Sequence, residues 1–347
     1  MAYSYYRSVT IDYTKCGTAN STDFPVLVSF TDASFKWVLA GGKIQSGAGY
    51  DINFYSDIGL TTALYYQVER WISSTGECIF WVKVPTLSST ANTVIYVAYG
   101  DASITTPQSS SINVWNSNFE AVYHLTNGTT LSAQDSTLYG RNGTITGALA
   151  TTGKIDGGAS FAGGVSTDNI LTTLTTVPSQ RTISAWVYIA GPGGGGLGRF
   201  VARGTEGFYQ NYASSLLSFT YPFTTTALTA TAPNSLFNTW IHVAVTYDNS
   251  NTSNRPLIYL NGVSQTITII TAPVGTPNSS FAFVIGNSSA GVRALQGNID
   301  EVRFTNNLLS SSWILSEYNN QNSPSTFFTL GAETSTTSTS NFFQMFY

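Results

Sequence analysis

The acidic residues that would support hydrolysis of a sugar bond are sparse in this sequence. The stretch Asn298–Val302 (NIDEV) carries two adjacent acids, Asp300 and Glu301. If this stretch is a strand, Asp300 shares a face with Asn298 and Val302, whereas Glu301 points the opposite way. Glycoside hydrolysis of the usual kind needs two carboxyl groups flanking the bond. A second acid would have to come from another strand, so we predict no catalytic residues and no enzymatic activity.

The sequence gives equally weak evidence for other catalytic patterns. His124 and His242 both lie in predicted strands, where we expect structural side chains rather than general bases. The run Gly191–Gly198 (GPGGGGLG) has the composition of a phosphate loop but lacks the following Lys-Ser/Thr and a helix. We therefore interpret it as a hairpin loop.

One short stretch has the side chains that sugar recognition uses. Gly207–Tyr212 (GFYQNY) combines aromatic rings, which form flat platforms, with amides that donate and accept hydrogen bonds. We predict Tyr209, Asn211 and Tyr212 as ligand-binding residues. The alternative is that they are ordinary aromatic and polar residues of a strand.

The composition excludes several classes of protein. The 347 residues carry a net charge of −4 and only 9% are charged, so there is no basic surface for nucleic acid. No apolar run is long enough to span a membrane, and the first seven residues show no signal peptide. Cys16 and Cys78 allow one disulfide or two buried thiols, and we favour the thiols.

The pattern of elements predicts an all-β protein. Strand signals recur every 8–12 residues between turn residues, as in sandwiches and barrels. Examples are Cys78–Val84, Thr93–Tyr99 and Trp240–Tyr247. One helix is predicted over Ser310–Asn319, with Ser310 as its N-cap.

The chain divides at a polar, proline-containing stretch, Ser103–Ser111 (SITTPQSSS). We predict an N-terminal β-sandwich over residues 1–107, a second β domain over 112–333, and a Ser/Thr-rich tail over 334–347. The tail ends in aromatic residues, Phe342, Phe343, Phe346 and Tyr347. We interpret these four as an assembly segment that docks either on the parent domain or on another subunit.

Several stretches together resemble a known pair of domains. The first set consists of Thr22–Val28, Gly49–Phe54, Tyr66–Trp71, Trp81–Pro85 and Ile95–Gly100. It resembles a β-rich domain of unknown function that commonly precedes a concanavalin A-like lectin/glucanase (laminin-G-like) domain. The second set consists of Val122–Leu125, Asp135–Thr137, Gly153–Ile155, Trp240–Ala244, Tyr259–Gly262 and Gly297–Arg303. It resembles that lectin-like domain, which implies a β-sandwich followed by a jelly roll of two antiparallel sheets.

The resemblance also implies a structural calcium ion. Lectin-like domains of this kind often hold one, and Asp135 and Asp300 would be its carboxylate ligands. The alternative is that Asp135 caps a turn and that Asp300 pairs with an arginine such as Arg303 or Arg141.

The same fold serves lectins, glycosidases and structural modules, so function has to be argued from the site. One hypothesis is a non-catalytic glycan-binding or adhesive protein, in which a homo-oligomer multiplies weak binding. A compatible hypothesis is a virion component, such as a phage decoration or fibre protein, or a cell-surface component whose tail contacts other assembly proteins. The alternative is a secreted polysaccharide-binding module or a glycoside hydrolase of this fold. We expect the protein on a virion or an extracellular surface.

Overall fold

The computed structural model describes residues 3–126, 129–164, 166–279 and 281–336. The first third of the chain contains six strands and the start of a short helix. These elements are β1 (Tyr5–Ile11), β2 (Ser21–Thr31), β3 (Asn53–Tyr55), β4 (Tyr66–Ile72), β5 (Glu77–Leu87), β6 (Thr93–Tyr99) and α1 (Ser111–Val114).

The rest of the described chain is again mostly strands. They are β7 (Phe119–Tyr123), β8 (Thr144–Thr146), β9 (Leu149–Thr152), β10 (Gly157–Ala162), β11 (Asn169–Leu171), β12 (Gln180–Ile189), β13 (Arg199–Arg203), β14 (Glu206–Asn211), β15 (Leu216–Tyr221), β16 (Leu228–Pro233), β17 (Trp240–Asp248), β18 (Leu257–Leu260), β19 (Val263–Ser264), β20 (Thr268–Thr271), β21 (Val284–Ile285) and β22 (Gln296–Thr305). Helices α2 (Ser311–Asn322) and α3 (Pro324–Phe327) and strands β23 (Phe328–Leu330) and β24 (Thr334–Ser335) follow.

The N-terminal unit is a sandwich of two small antiparallel sheets. One has the strand order β23-β1-β6-β3, with β24 also paired to β1, and the other has the order β2-β5-β4. The predicted strand Thr93–Tyr99 is observed with the same bounds. On β5, Phe80 and Val82 are buried in the sandwich core, as the alternating pattern predicts.

The second unit is a jelly roll of two eight-stranded antiparallel sheets. We call the sheet β19-β18-β17-β12-β22-β10-β9, with β7 beside β22, the seam sheet, because it faces the N-terminal unit. The opposing outer sheet has the order β20-β16-β15-β14-β13-β21-β11-β8. Residues such as Val187, Phe208 and Phe219 fill the core between them. The predicted all-β fold, a β-sandwich followed by a jelly roll, is confirmed.

The C-terminal segment joins the two units. Ser310 caps α2 as predicted, because its hydroxyl oxygen accepts a hydrogen bond from Trp313 N at 3.1 Å. On the same helix, Asn320 bonds both backbone groups of Leu27, with Oδ1 to N at 2.7 Å and Nδ2 to O at 2.9 Å. These bonds occupy the backbone N–H and C=O of Leu27 on the edge strand β2, groups that would otherwise be open to another strand.

The predicted tail begins with a strand on the N-terminal unit. Thr334 pairs with Tyr6 and Ser335 with Tyr5. Thr336 N also donates to Ser4 O at 3.0 Å. The predicted assembly residues of the aromatic end, Phe342, Phe343, Phe346 and Tyr347, lie outside the described residues.

Two further expectations concern the cysteines and the membrane. Cys16 and Cys78 are both free and buried, which confirms the thiol interpretation. Within the described part of the chain, no helix has the length and apolar character needed to cross a bilayer.

Candidate functional site

The most unusual chemistry lies in the seam between the two units, where charged side chains are buried. Trp81 of β5 is fully buried although it belongs to the opposite face from Phe80 and Val82. It packs against Trp115, with ring centroids 5.7 Å apart, and stacks on His124 at 5.5 Å. Both faces of β5 are therefore covered, one by the sandwich core and one by the seam.

Two β-bulges aim carboxylates into this seam. Val68 pairs with Phe80 and Arg70 with Ile79, so Glu69 is the extra residue of a bulge in β4. Glu301 lies at a second register irregularity, between β12 and β22, and has φ +51°. A left-handed residue in a bulge breaks the two-residue alternation of a strand and re-aims its side chain.

The second bulge overturns the prediction that Glu301 points away from Asp300. Both side chains are buried, with 0% of Asp300 and 1% of Glu301 exposed. Burial and the nearby Glu301 carboxylate raise the pKa of Asp300 well above its usual range. The two acids are thus neighbours in one buried cluster, whereas strict alternation would have separated them across the sheet.

His124 is the centre of this cluster. Its Nδ1 lies 2.7 Å from Glu301 Oε1 and 3.6 Å from Glu69 Oε2. Trp81 Nε1 donates a hydrogen bond to Glu69 Oε2, whereas Glu69 Oε1 is buried without a hydrogen-bond partner. One donor atom each from Glu69, His124 and Glu301 lie within 4.8 Å of one another, an arrangement that can hold a metal ion.

Gln67 fixes the orientation of the His124 ring. The indole Nε1–H of Trp115, which can only donate, lies 2.7 Å from Gln67 Oε1, and Gln67 Nε2 donates to Ser136 Oγ at 3.0 Å. The same Gln67 Oε1 lies 3.3 Å from His124 Nε2. Since this oxygen only accepts, His124 carries a hydrogen on Nε2, and its Nδ1 faces the carboxylates.

The charged network continues along the seam sheet to helix α2. Arg303 donates to Glu301 Oε2 and to Glu317 Oε1, each at 2.7 Å. The guanidinium carbon lies 4.5 Å from the Trp81 ring centroid. His242 Nε2 is 3.7 Å from Glu317 Oε2, at the far end of the network.

Burial and neighbouring charge set the protonation of these groups. Desolvation, together with the carboxylates of Glu301 and Asp300, raises the pKa of Glu69 well above its usual range. Burial alone would raise the pKa of Glu301, but His124 and Arg303 hold it below its usual range. Burial and the positive charge of Arg303 lower the pKa of His242 to about 3, so this histidine is neutral near pH 7.

A pocket of about 200 Å³ opens beside the cluster. Its lining includes Glu69, His124, Ser132, Gln134 and Ser136. Small polar groups therefore surround the side of the cluster that faces the pocket.

The two predicted calcium ligands are held by different backbone segments. Asp135 caps a turn, because its Oδ1 accepts from Val122 N and Thr137 N and its Oδ2 from Arg141 N at 2.8 Å. Asp300 Oδ2 accepts from the amides of residues 154 and 155, each at 2.8 Å. An ion would have to replace these donors, and the two carboxylates share no hydrogen-bond partner. Calcium binding at this pair stays a prediction.

The arginines suggested as alternative partners of Asp300 bond other acids. Arg303 pairs with Glu301 and Glu317, and Arg141 pairs with Glu120. The alternative for Asp135, a turn cap, matches the observed hydrogen bonds.

The predicted sugar-binding stretch is strand β14 and the residue after it. Phe208 and Gln210 are buried in the direction of the jelly-roll core, whereas Tyr209 and Asn211 are partly exposed on the opposite face. Tyr212 packs on Phe237, with ring centroids 4.6 Å apart. Strand alternation therefore places half of this stretch inside the jelly roll, and ligand binding by Tyr209, Asn211 and Tyr212 stays a prediction.

Tyr209 belongs to a row of side chains that crosses five strands of the outer sheet. The paired residues are Arg199, Tyr209, Ser218, Thr231 and Thr268. Directly paired residues share a face, and the row lies on the face away from the core. The Arg199 guanidinium carbon is 3.5 Å from the Tyr209 ring centroid, so it covers one side of the ring.

The glycine-rich run is a loop beside this row, but the predicted hairpin is wrong, because the run connects β12 of the seam sheet to β13 of the outer sheet. Gly196 O accepts a hydrogen bond from Tyr212 N at 3.0 Å, and Gly198 O accepts one from Gln210 N at 3.2 Å. Gly193, Gly195 and Gly196 have positive φ, which explains the need for glycine in this connection.

Several residues of the seam were not predicted from the sequence. They are Gln67, Glu69, Arg303 and Glu317, together with the indole of Trp81. The available signal is that Glu69 and Arg303 are charged residues within strands of a chain that is only 9% charged, since a buried charge needs a partner.

Family models agree with this architecture. Residues 156–315 match the model of the Concanavalin A-like lectin/glucanases superfamily, and residues 48–130 match that of a domain of unknown function, DUF2341. The two matches stand in the order predicted from the sequence, a DUF2341 region followed by a concanavalin A-like region. No curated protein is a significant match.

Solved structures with partial similarity to this chain include a toxin receptor-binding domain, a sialidase and one domain of an arabinanase. The receptor-binding domain of botulinum neurotoxin type G is 14% identical with a TM-score of 0.46, and the match covers 59% of this chain. The match spans about half, 52%, of that domain. Trypanosoma rangeli sialidase is 15% identical with a TM-score of 0.42, covering 68% of this chain and 42% of the sialidase.

A third structure is domain 4 of an extracellular arabinanase from Geobacillus stearothermophilus in complex with arabinotriose. It is 18% identical with a TM-score of 0.39, covering 58% of this chain and 98% of that domain. Concanavalin A-like folds occur in lectins and in glycoside hydrolases, so the fold leaves the presence of catalysis open.

Proposed function

We propose that the protein is a non-catalytic carbohydrate-binding protein displayed on a virion or an extracellular surface. The observation that carries this proposal is the row Arg199–Tyr209–Ser218–Thr231–Thr268 across the outer sheet. It presents the partly exposed Tyr209 ring and Arg199 together with the exposed Thr268, while the hydroxyls of Ser218 and Thr231 lie buried between them. This is the chemistry that binds the apolar face and the hydroxyl edge of a sugar ring.

The side chains of the row differ in their exposure to solvent. Ser218 and Thr231 are 2% and 7% exposed, whereas Tyr209 and Arg199 are partly exposed beside them. Arg199 holds the Tyr209 ring in one orientation, which lowers the entropy lost when a ligand stacks on it. Asn211, two residues along the same face, adds an amide that can bond a sugar hydroxyl.

A binding role fits this face better than hydrolysis. The five residues of the row include no acid, and hydrolysis of the usual kind needs two carboxyl groups at the bond. The acids that the fold does bring together, Glu69, Asp300 and Glu301, are buried in the seam. Their side chains are therefore not displayed on an open surface as a polysaccharide-cleaving pair would need to be.

Binding to a panel of immobilised glycans tests this proposal. We expect Tyr209→Ala to abolish the signal and Tyr209→Phe to retain most of it, since stacking needs the ring and not the hydroxyl. Tyr65→Ala, which removes a tyrosine that is 56% exposed in the N-terminal unit, is the matched control. A panel without hits, or equal loss in both alanine variants, would contradict the proposal. Release of reducing sugar from a bound glycan would favour the hydrolase alternative.

We also propose that the tail contributes to assembly, either of a homo-oligomer or with other assembly proteins. The support is that Thr334 and Ser335 pair with β1, which fixes the start of the tail on the N-terminal unit. Deleting residues 337–347 preserves this strand and tests the aromatic end alone. We expect the oligomer or particle to be lost, and an unchanged sedimentation profile would refute the role.

A further inference from the structure

We propose that Glu69, His124 and Glu301 form a binding site for a divalent transition-metal ion of the zinc class, in the seam between the two β units. The ligand atoms are a carboxylate oxygen of each glutamate and His124 Nδ1, which lie within 4.8 Å of one another. Water from the adjacent pocket would complete the coordination. This site is independent of the proposed glycan surface on the outer sheet.

The first support is the protonation of the His124 ring. Gln67 Oε1 already accepts from Trp115 Nε1–H, so it presents an acceptor to His124 Nε2 at 3.3 Å. With its hydrogen on Nε2, a neutral His124 would place the lone pair of Nδ1 2.7 Å from the oxygen of Glu301. Two lone pairs at that distance repel, so this geometry calls for either a metal ion or a proton at Nδ1.

The Gln67 contact is also the usual support of a metal-binding histidine. Such a histidine typically donates its second N–H to an oxygen, which fixes the tautomer and the direction of the ring. Here Gln67 has this position, and its own orientation is fixed by Trp115 and by Ser136.

The second support is an excess of buried carboxyl groups over the cationic side chains that pair with them. Four acidic side chains are buried together, those of Glu69, Asp300, Glu301 and Glu317. The Arg303 guanidinium forms ion pairs with two of them, Glu301 and Glu317. Neither Glu69 nor Asp300 has an arginine or lysine partner among the ion pairs of the described residues. Buried carboxylates without a compensating cation are costly, and a divalent ion would supply that charge.

The third support is the orphan oxygen Glu69 Oε1. The Glu69 side chain is 0% exposed, and this atom has no hydrogen-bond partner. A buried carboxylate oxygen without a donor is rare in native proteins and requires an explanation, which a bound ion would supply. It belongs to the residue that lies 3.6 Å from His124 Nδ1 and also lines the pocket of about 200 Å³.

The distances suit zinc after a small adjustment. Zinc bonds of about 2.0–2.1 Å in tetrahedral geometry place neighbouring ligand atoms about 3.3 Å apart. The His124–Glu301 separation of 2.7 Å would widen and the His124–Glu69 separation of 3.6 Å would shorten slightly. One imidazole with two carboxylates favours Zn²⁺ or Mn²⁺ over Ca²⁺, which prefers oxygen ligands alone.

The competing possibility is a proton on Nδ1, which would make His124 an imidazolium between the two glutamates. Metal analysis distinguishes a bound metal ion from a proton on Nδ1. The full chain is treated with chelator, equilibrated with Zn²⁺, dialysed and analysed for its elements, and in parallel Co²⁺ is added as a spectroscopic probe. We expect one equivalent of zinc per chain, a higher Tm with increasing Zn²⁺, and a visible cobalt absorption band.

Single substitutions test whether the metal binds at the cluster of Glu69, His124 and Glu301. We expect Glu69→Gln to lower Zn²⁺ affinity at least tenfold, because it removes one charged ligand while keeping its shape. Glu120→Gln is the matched control, since Glu120 is also a largely buried acid but pairs with Arg141 away from the cluster. Equal loss in both variants would overturn the assignment. A wild-type chain that takes up neither zinc nor cobalt would overturn the proposal, even if Glu69→Gln did not fold.

Discussion

Replacement of Arg303 by methionine tests the energetics of the seam most directly. The Arg303 side chain is 3% exposed and bonds Glu301 and Glu317, each at 2.7 Å. Methionine fills similar volume without charge, so the variant leaves two buried carboxylates without their guanidinium. Breaking a buried ion pair by removing one partner costs about 3–5 kcal/mol. We expect a loss of unfolding free energy in that range and a fall in Tm on the order of 10 °C.

The measurement is urea unfolding followed by tryptophan fluorescence, with CD of the native state to verify the fold. Arg255→Met is the control, because Arg255 is exposed and its Nη1 bonds only the backbone carbonyls of residues 252 and 254. That change should stay within about 0.5 kcal/mol.

A double variant checks the mechanism. If unpaired charge is the cause, then Arg303→Met combined with Glu317→Gln should be less destabilised than the sum of the two single changes, by about 0.5–3 kcal/mol. A loss below about 1 kcal/mol in Arg303→Met, or strict additivity in the double variant, would refute the interpretation of the seam as a network of dependent charges.

Three further predictions concern a buried histidine, a helix cap and calcium. His242 has a pKa of about 3 in the folded chain and about 6.5 in the unfolded chain, so between these pH values only the unfolded chain binds the proton. The free energy of unfolding therefore decreases as the pH is lowered, by up to about 1.4 kcal/mol per pH unit. His242→Phe should flatten that slope in urea titrations at pH 6.5 and 5.5, and equal slopes would contradict the assignment. Ser310→Ala removes the hydrogen bond to Trp313 N and should cost about 1 kcal/mol by the same assay, whereas no loss would argue against the cap. For calcium at Asp135 and Asp300, EGTA should lower Tm, and a Tm indifferent to EGTA would exclude a stabilising ion.

Local patterns were enough to predict the elements and their order. The strand Thr93–Tyr99 and the cap Ser310 follow from neighbouring residues, because alternation and capping depend on contacts a few positions apart. The hairpin turn at Asn261–Gly262, with φ +50° and +77°, is equally local. Short strands such as Val263–Ser264 lack a pattern long enough to recognise.

The sugar-binding prediction shows where local reasoning reaches its limit. The composition of Gly207–Tyr212 suggested a sugar-binding stretch, but the core on one side of β14 buries Phe208 and Gln210. What joins Tyr209 to Ser218 and Thr231 is strand pairing, which the chain order alone does not specify.

The sequence by itself determined an all-β chain of two units and the side chains available for chemistry. Only the tertiary structure decided which acids meet. Glu301 and His124 are 177 positions apart, and a bulge turns Glu301 toward the seam against the alternation of its strand. Such a bulge is set by the register of the paired strands, and the burial of Glu69 and Trp81 by the docking of the two units. These are long-range contacts, and no window of neighbouring residues contains them.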